Sequence, residues 1–230
     1  MKPLFLVNIK PRPQPRNRRR SRPRSSKSRQ SDNSPKISAP IQFLWAVIGL
    51  LLTIGGTMIE AFWTNFPWDW AQSGVYPVSL GVTCQIGAVL LVGCLGGKNA
   101  AALSQIAYLV LGLAWKPVFD QGGGIAYMIK PTFGYIIGFI PGAWLCGFLA
   151  FRHKAKLESL AFSCLGGLGV IHFIGVTYLA GLQLFSPLGE GFMALLQGIV
   201  RYSIVPLPGQ IAIVCAISVL SFVLRQILFY

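Results

Sequence analysis

Polar side chains of several kinds are concentrated in one short stretch, residues 116–139. In order, the stretch contains Gly122, Gly123, Gly124, Tyr127, Lys130, Thr132 and Tyr135. Three consecutive glycines favour a flexible loop whose backbone N–H groups can approach a ligand. The residues after them supply a cation, a hydroxyl group and two aromatic faces, and Lys130 can pair with a carboxylate. The stretch therefore predicts a binding site for a small organic acid. The alternative is an exposed loop beside an interfacial belt of Tyr and Lys.

The sequence lacks the motifs of the common catalytic sites. Gly96, Gly97 and Lys98 resemble the end of a phosphate-binding loop. Val92 and Asn99, however, occupy the positions where that motif requires Gly and Ser or Thr. We therefore expect no ATPase activity from this chain. It also has neither a Gly-x-Ser-x-Gly turn nor a pair of carboxylates inside an apolar segment. The sequence thus predicts that the protein is not an enzyme.

The cysteines and histidines show no metal-ligand spacing. Cysteines stand at positions 84, 94, 146, 164 and 215 and form no Cys-x-x-Cys pair. In apolar segments, free cysteine acts as a small apolar residue, so we expect no disulfide, metal site or cofactor. His172 lies in the middle of an apolar segment, where an ionisable residue is a candidate functional group. A neutral hydrogen bond between helices is the simpler expectation for it.

The elements that position these residues follow from the composition. Of 230 residues, 53% are hydrophobic and 11% are charged, whereas soluble domains carry about 25% charged residues. The net charge of +14 is uneven, because residues 1–38 hold 12 of the 20 Lys and Arg residues and one acid. The chain is therefore a basic tail joined to an almost uncharged body, which excludes an ordinary soluble domain.

The body is divided by charged residues into apolar intervals long enough to cross a bilayer. A spanning helix needs about 17–25 mostly apolar residues. The predicted spans are 41–61, 75–95, 99–115, 125–151, 159–184 and 206–229. Continuous rather than alternating hydrophobicity favours helices over a barrel. We predict an all-α integral membrane protein with six transmembrane helices, made of a tail (1–38) and a membrane domain (39–230).

The basic residues predict the orientation. With six spans, the tail, Lys98, the basic turn at 152–156 and Arg225 share one side of the membrane. The acids Glu60, Asp69, Asp120 and Glu190 then lie on the other side, together with Lys116. The positive-inside rule places both termini in the cytoplasm. We expect the plasma membrane as the location.

The tail is rich in Pro, Arg and Ser and is predicted to be disordered. Its simplest role is a cytoplasmic topology signal attracted to anionic lipid. An organellar transit peptide is the alternative, which would place the protein in an organellar membrane. A nucleic-acid partner is not expected, because no aromatic residues are interleaved with the bases.

Small residues form a stripe on each of two predicted spans. On the fourth span the stripe is Gly134, Gly138, Gly142, Cys146 and Ala150, and on the first it is Gly49, Thr53, Thr57 and Ala61. Such stripes let another helix approach closely. We expect packing within the bundle for the fourth span. For the first span, docking onto a separate membrane partner is an alternative.

Several short segments resemble the motifs of one transporter family. They are Pro77-Val-Ser-Leu-Gly-Val-Thr-Cys-Gln85, Leu90-Leu-Val-Gly-Cys-Leu-Gly-Gly97, Tyr108-Leu-Val-Leu-Gly112, Pro117-Val-Phe119, Gly122-Gly-Gly124 and Pro131-Thr-Phe-Gly-Tyr-Ile-Ile-Gly-Phe139. Together they are similar to the BioY family, the biotin-binding S components of energy-coupling factor transporters, over about residues 41–230. The resemblance implies six helices, capture of biotin on the outer side, and coupling to a transmembrane T component and cytoplasmic ATPases. Some members are thought to act without the full module.

The chain departs from the family pattern at two places. Family members commonly carry Pro-Gly-Asp followed by Lys at the start of the last span, where this chain has Pro208, Gly209 and Gln210 and no following Lys. Gln210 can accept a hydrogen bond through its carbonyl oxygen, but without charge. Many members also carry Arg in the glycine loop and Gly before Pro-Thr, where this chain has Lys130. Compared with the family pattern, the cation of this chain is therefore predicted on the helix and not in the loop.

Taken together, these observations predict a biotin transport protein without a cofactor. Its predicted binding residues are Gln85, Tyr108, Gln121, Gly122, Gly123, Gly124, Tyr127, Lys130, Thr132, Tyr135 and Gln210. Lys130 would meet the valerate carboxylate, aromatic rings would cover the thiophane ring, and the glutamines would meet the ureido group. Uptake of another small carboxylated vitamin is the alternative within transport. A membrane enzyme or assembly factor is the alternative from another class.

Overall fold

The computed structural model describes residues 39–114, 117–120, 122–185 and 191–228, and the predicted tail lies outside them. Helices in this part of the chain are α1 (Ala39–Met58), α2 (Trp70–Ser73), α3 (Gln85–Ala114), α4 (Phe133–Ala150), α5 (Leu157–Phe185), α6 (Gly191–Ile199) and α7 (Leu207–Leu228). Strands β1 (Glu60–Thr64) and β2 (Pro77–Thr83) pair in antiparallel fashion. Short 3₁₀ turns cover Pro67–Asp69 and Ile125–Ile129, and a π turn covers Val200–Ile204.

Within the described residues, five helical segments are long and apolar enough to cross a membrane. They are Ala39–Met58, Gln85–Ala114, Phe133–Ala150, Leu157–Leu184 and Phe192–Leu228. The protein is thus a mostly helical, multi-pass membrane protein, as the composition predicts. The number of crossings depends on the shape of the second of these segments.

Helix α3 reverses its direction at Gly97. This glycine has φ 78° and ψ 174°, which are not helical angles and which favour glycine. Gln85 and Tyr108 are 23 positions apart, so in a straight helix they would be separated by about 34 Å. Their side chains instead meet in a hydrogen bond of 2.8 Å. The two arms of α3 are therefore antiparallel, and the reversal lies where the predicted spans 75–95 and 99–115 are separated.

The predicted helix over 75–95 is wrong in its first half. Residues Pro77–Thr83 form β2, which pairs with β1 in a hairpin. Continuous apolar character alone does not separate a strand from a helix, and the β-branched residues Val78 and Val82 favour the strand. Gly81 has φ 65°, and the strand register is irregular between Glu60 and Phe62.

Two other predicted spans are too long at one end. The span over 125–151 begins as a helix only at Phe133, because residues Ile125–Ile129 form a 3₁₀ turn and Pro131 disfavours helical backbone before it. The span over 41–61 ends at Met58, and Ala61 belongs to β1. Both shortened ends lie beside the same hairpin and loop.

The small-residue stripes pack inside the bundle. A Cβ atom on Gly138 would lie 2.9 Å from the Ile171 carbonyl oxygen, and one on Gly142 would lie 2.9 Å from that of Gly167. The stripe of α4 therefore packs against α5, as expected. On α1, a Cβ on Gly49 would lie 2.9 Å from the Ser104 hydroxyl oxygen, so this stripe faces α3. Docking of this face onto a separate partner is therefore wrong.

Basic side chains gather at one end of the bundle. The Lys98 ammonium lies 5.4 Å from the Phe148 ring centroid, and the Arg152 guanidinium lies 5.9 Å from the same ring. Arg225 of α7 donates a hydrogen bond of 2.8 Å to the Ala150 carbonyl oxygen. Lys98, Arg152 and Arg225 thus share an end, in agreement with the grouping predicted from the sequence.

Candidate functional site

The other end of the bundle contains a cavity of about 550 Å³. This volume lies in the range typical of small-molecule sites, about 300–1,000 Å³. Its walls come from the hairpin, the loop before α4, and the ends of α1, α3, α4 and α7. The lining residues are Thr57, Met58, Glu60, Gly81, Val82, Thr83, Gln85, Ile86, Asp120, Tyr127, Thr132, Tyr135, Ile136, Phe139, Tyr202, Pro206 and Gln210.

Gln85 is held by its own helix. It is the first residue of α3, and its Nε2 atom donates a hydrogen bond of 2.8 Å to the Tyr108 hydroxyl. That hydroxyl donates in turn to the Val118 carbonyl oxygen at 3.0 Å and lies 3.4 Å from the Thr57 hydroxyl. Because the amide nitrogen of Gln85 is engaged, its carbonyl oxygen is the atom that Gln85 can offer to a ligand as an acceptor.

The side-chain amide of Gln210 is held through its oxygen atom, whereas that of Gln85 is held through its nitrogen atom. The Oε1 atom of Gln210 lies 2.6 Å from Nε2 of His172 on α5, and because an amide oxygen accepts, the imidazole donates from Nε2. The expected hydrogen bond between helices is therefore present at His172. With its oxygen engaged, Gln210 can offer its amide NH₂ group as a donor. The expectation that Gln210 accepts a hydrogen bond from a ligand through its carbonyl oxygen stays a prediction, and it would use the second lone pair of that oxygen.

Three tyrosines supply aromatic surface to the cavity. The Tyr127 hydroxyl bonds to that of Thr132 at 2.9 Å, and burial raises the pKa of Tyr127 above its ordinary value. The Tyr135 hydroxyl bonds to that of Ser203 at 2.7 Å. Tyr202 is the third. Because the hydroxyls of Tyr127 and Tyr135 are satisfied by neighbours, these rings chiefly offer apolar faces to a ligand.

The charges around the cavity are arranged in two sets. Glu60 and Asp120 line it, and Glu60 accepts a hydrogen bond from the Ser79 hydroxyl. Two cations lie behind aromatic walls. The Lys130 ammonium is 5.0 Å from the Tyr127 ring centroid, and the Arg201 guanidinium is 5.7 Å from that of Tyr202. These distances are typical of cation–π contacts.

The glycine loop closes on itself instead of lining the cavity. The Phe119 and Gly122 backbones exchange hydrogen bonds of 3.0 and 3.1 Å, and the Gly124 N–H donates to the Gly112 carbonyl at 2.8 Å. Gly122 and Gly124 have φ 117° and 81°, which explains the need for glycine. The loop places the buried Phe119 ring 4.7 Å from that of Tyr127. Its visible role is to support the cavity wall from behind.

The structure thus brings together part of the predicted set. Gln85, Tyr127, Thr132, Tyr135 and Gln210 line the cavity. Tyr108 and Lys130 each contact a lining residue, and Gly122, Gly123 and Gly124 do not line the cavity. Gln121 lies outside the described residues.

Sequence reasoning missed several lining residues, among them Thr57, Glu60, Asp120, Tyr202 and Phe139. Glu60 and Asp120 belong to the set of acids predicted on one side of the membrane, and that grouping was the available signal. Thr57 lies in the small-residue stripe of α1. Tyr202 follows a basic residue in the π turn before α7, and no pattern in the sequence marks it.

A second group of functional side chains lies outside the cavity. The sulfur atoms of Cys94, Cys146 and Cys164 lie within 4.8 Å of one another, in a part of the bundle that contributes no residue to the cavity wall. No spacing motif predicts this, because the three cysteines come from three different helices.

Comparison with known proteins assigns the family. The model of the BioY family matches residues 41–228. The chain belongs to the BioY family. The identification made from the short motifs is therefore confirmed, and the match includes every described element of this structure except the first two residues of α1.

Several BioY relatives carry assigned names. A probable biotin transporter BioY of Lysinibacillus sphaericus is 41% identical over 98 residues, which is 42% of this chain and 50% of that protein. The biotin transporter BioY of Rhizobium etli is 32% identical over 146 residues, covering 56% of this chain and 78% of the relative. An uncharacterized 21.2 kDa protein of Cyanophora paradoxa is 31% identical over 80% of this chain and 95% of its own length. The named relatives are transporters and not enzymes.

One solved structure has the same fold. The crystal structure of the S-component for biotin from an ECF-type ABC transporter matches with a TM-score of 0.60 at 20% sequence identity. The match covers 83% of this chain and 95% of the other. It shows that this BioY protein has the fold of an S component.

Proposed function

We propose that this BioY protein is the substrate-binding S component of a biotin transporter and that the cavity binds biotin. The names of the Lysinibacillus and Rhizobium relatives and the fold of the solved S component support the substrate. The observation that carries the proposal is the pair of oppositely fixed amides, Gln85 and Gln210. Biotin's ureido group has two N–H donors and a carbonyl acceptor, so one N–H can donate to Gln85 while the carbonyl accepts from Gln210.

The amide pair fits a cyclic urea because each amide is fixed by a buried partner. Tyr108 holds the nitrogen of Gln85, and His172 holds the oxygen of Gln210. A fixed donor and a fixed acceptor discriminate against ligands that lack the matching group, since the unmatched amide would lose its hydrogen bond on ligand binding. The thiophane ring of biotin would pack on the aromatic rings of Tyr127 and Tyr135.

The valerate carboxylate needs a cation. In our proposal Lys130 supplies it by turning from the Tyr127 ring towards the cavity mouth, since a flexible four-carbon stem allows this movement. Glu60 and Asp120 would repel a carboxylate placed beside them. They therefore favour a ligand orientation in which the carboxylate points towards Lys130 and away from both acids.

We further propose six membrane crossings, with both termini in the cytoplasm and the cavity on the outer side. The reversal of α3 at Gly97 supplies the sixth crossing, and the shared end of Lys98, Arg152 and Arg225 supports this orientation. The plasma membrane is the proposed location. Energy would come from a T component and cytoplasmic ATPases, as the family relationship and the fold of the solved S component suggest.

Equilibrium binding of radiolabelled biotin to the purified protein in detergent tests the substrate. We expect saturable binding at one site, competition by unlabelled biotin, and weaker competition by lipoate, which has a carboxylate but no ureido group. Equal competition by lipoate would show that the amide pair does not select the ligand. Absence of saturable biotin binding in correctly folded protein would exclude the proposed substrate.

Uptake in cells tests the partners separately. Biotin uptake is expected to rise when the chain is expressed with a T component and its ATPases, compared with the chain alone. Full uptake by the chain in cells without any such module would indicate a transporter that acts alone. This result would leave the binding site intact and change only the energy source.

A further inference from the structure

Three cysteines from three helices meet at one point in the core. The Cys94 sulfur on α3 lies 3.7 Å from that of Cys146 on α4 and 3.5 Å from that of Cys164 on α5. All three side chains are fully buried. Cys94 lies three residues before the Gly97 reversal, so the cluster is near the end of the bundle that carries the basic residues, away from the cavity.

The separations match a shared metal ion better than a disulfide. A disulfide joins two sulfurs at about 2.05 Å, far shorter than these distances. Three thiolates bound to Zn²⁺ at about 2.3 Å each, in tetrahedral geometry, have sulfur atoms roughly 3.8 Å apart. The distances of 3.7 and 3.5 Å, together with the limit of 4.8 Å for the whole group, are close to that arrangement.

A polar side chain beside the cysteines supports a ligand. Ser221 of α7 is fully buried and adjoins Cys94. Its hydroxyl oxygen makes no hydrogen bond of good geometry within the part of the chain that the structure describes. An unsatisfied buried hydroxyl is costly, and a zinc ligand position, direct or through a water, would satisfy it.

The charge of the surroundings also fits a bound metal. The Arg225 guanidinium is 8% exposed and donates a hydrogen bond to the carbonyl oxygen of Ala150, which belongs to the same buried cluster as the three cysteines. Zn²⁺ with three thiolates carries one negative charge, which one arginine neutralises. Arg225 is therefore placed to act as a counter-charge to the zinc and its three thiolates.

We propose that Cys94, Cys146 and Cys164 bind one Zn²⁺ ion, with Ser221 at the fourth position and Arg225 as the counter-charge. Binding forms three Zn–S bonds and releases three protons from the thiols to solvent, so zinc affinity falls as the pH is lowered. The ion would join α3, α4 and α5 at the end opposite the cavity. It would therefore be a structural site, separate from ligand binding.

Zinc content measured by mass spectrometry tests the site. The full chain is purified without chelators, and we expect about one zinc per chain, as in other closed structural sites. Cys146→Ala is expected to lower the zinc content at least tenfold. Cys215→Ala is the matched control, because Cys215 is an exposed cysteine outside the cluster, and this variant is expected to keep the metal. Equal zinc contents in wild type and Cys146→Ala would overturn the proposal.

Cobalt binding to the wild-type protein keeps the test independent of the variant's folding. After removal of zinc, Co²⁺ is expected to give a thiolate-to-metal charge-transfer band and the visible bands of tetrahedral coordination, both abolished by Zn²⁺. The Cys215→Ala protein should give the same bands. Wild-type protein that carries no zinc and shows no thiolate band with Co²⁺ would rule out the site, and the cluster would then be ordinary core packing.

Discussion

Gln85 and Tyr108 belong to the same helical segment, α3, yet their side chains are joined by a hydrogen bond of 2.8 Å. This contact exists because the chain reverses at Gly97 and returns Tyr108 to the level of Gln85. The hydroxyl of Tyr108 then connects Gln85 to the Val118 carbonyl and to Thr57 of α1. One buried tyrosine thus links the reversal of α3 to the orientation of an amide in the cavity wall.

The first prediction concerns this link. Tyr108→Phe removes the acceptor of the Gln85 amide and leaves the Val118 carbonyl without its donor. We expect biotin affinity to fall by about 1–2 kcal/mol, or roughly five- to thirtyfold, because Gln85 is no longer held as an acceptor. Equilibrium binding of radiolabelled biotin measures the change.

A double-mutant cycle separates this role of Tyr108 from a general loss of packing. Gln85→Ala alone should weaken binding, and Tyr108→Phe should add little in the Gln85→Ala background, since both changes remove the same contact. Fully additive effects would show that Tyr108 acts on binding by another route.

The second prediction concerns Gln210 and its partner on α5. His172→Phe removes the group that holds the Gln210 oxygen at 2.6 Å, so the amide can rotate and its donor is no longer fixed. We expect binding to weaken by about 1–2 kcal/mol, the typical worth of one to two neutral hydrogen bonds. His153→Phe is the matched control, because His153 is exposed in the basic turn. An equal loss in both variants would contradict the proposed role of His172.

The third prediction concerns topology. A cysteine introduced at Gly123, beside the cavity, should react with a membrane-impermeant maleimide added to intact cells. A cysteine at Lys156, in the turn between α4 and α5, should react only after the cells are opened. Reversed labelling would place the cavity on the cytoplasmic side and exclude capture from outside.

Parts of this fold could be predicted from the sequence because their signals are local. The spacing of Gly138 and Gly142 marks a helix face for close packing, and the structure packs that face against Ile171. The charge intervals separate the two arms of α3 at Lys98. The hairpin was missed because the continuous apolar character of β2 is shared by strands and helices, and only pairing with β1 distinguishes them.

The rest of the site depends on contacts between distant parts of the chain. His172 and Gln210 are 38 residues apart, and no spacing rule connects them. Cys94 and Cys164 are 70 residues apart, so no spacing pattern groups them. The composition of the glycine loop suggests ligand contact, and this stays a prediction. In the structure, the N–H groups of Gly122 and Gly124 donate to backbone carbonyls, which the composition does not reveal.

The last prediction concerns the carboxylate. Lys130 is partly buried, and its ammonium lies over the ring of Tyr127, a residue of the cavity wall. If it meets the biotin carboxylate, Lys130→Ala should weaken binding by about 1.5–3 kcal/mol, the typical worth of a charge-assisted hydrogen bond. This corresponds to roughly ten- to 150-fold in affinity. Lys154→Ala, at an exposed site in the basic turn, is the matched control and should bind biotin like the wild type.

Comparison of biotin with its uncharged amide distinguishes this charge effect from a change in the Tyr127 wall. Wild-type protein should prefer the acid, and the Lys130→Ala protein should hardly distinguish the two ligands, because only the acid uses the ammonium group. Loss of affinity for both ligands in equal measure would indicate that Lys130 acts by supporting Tyr127. If the preference for the acid is unchanged, another cation binds the carboxylate, and Arg201, stacked on the Tyr202 wall in the same manner, is the next residue to substitute.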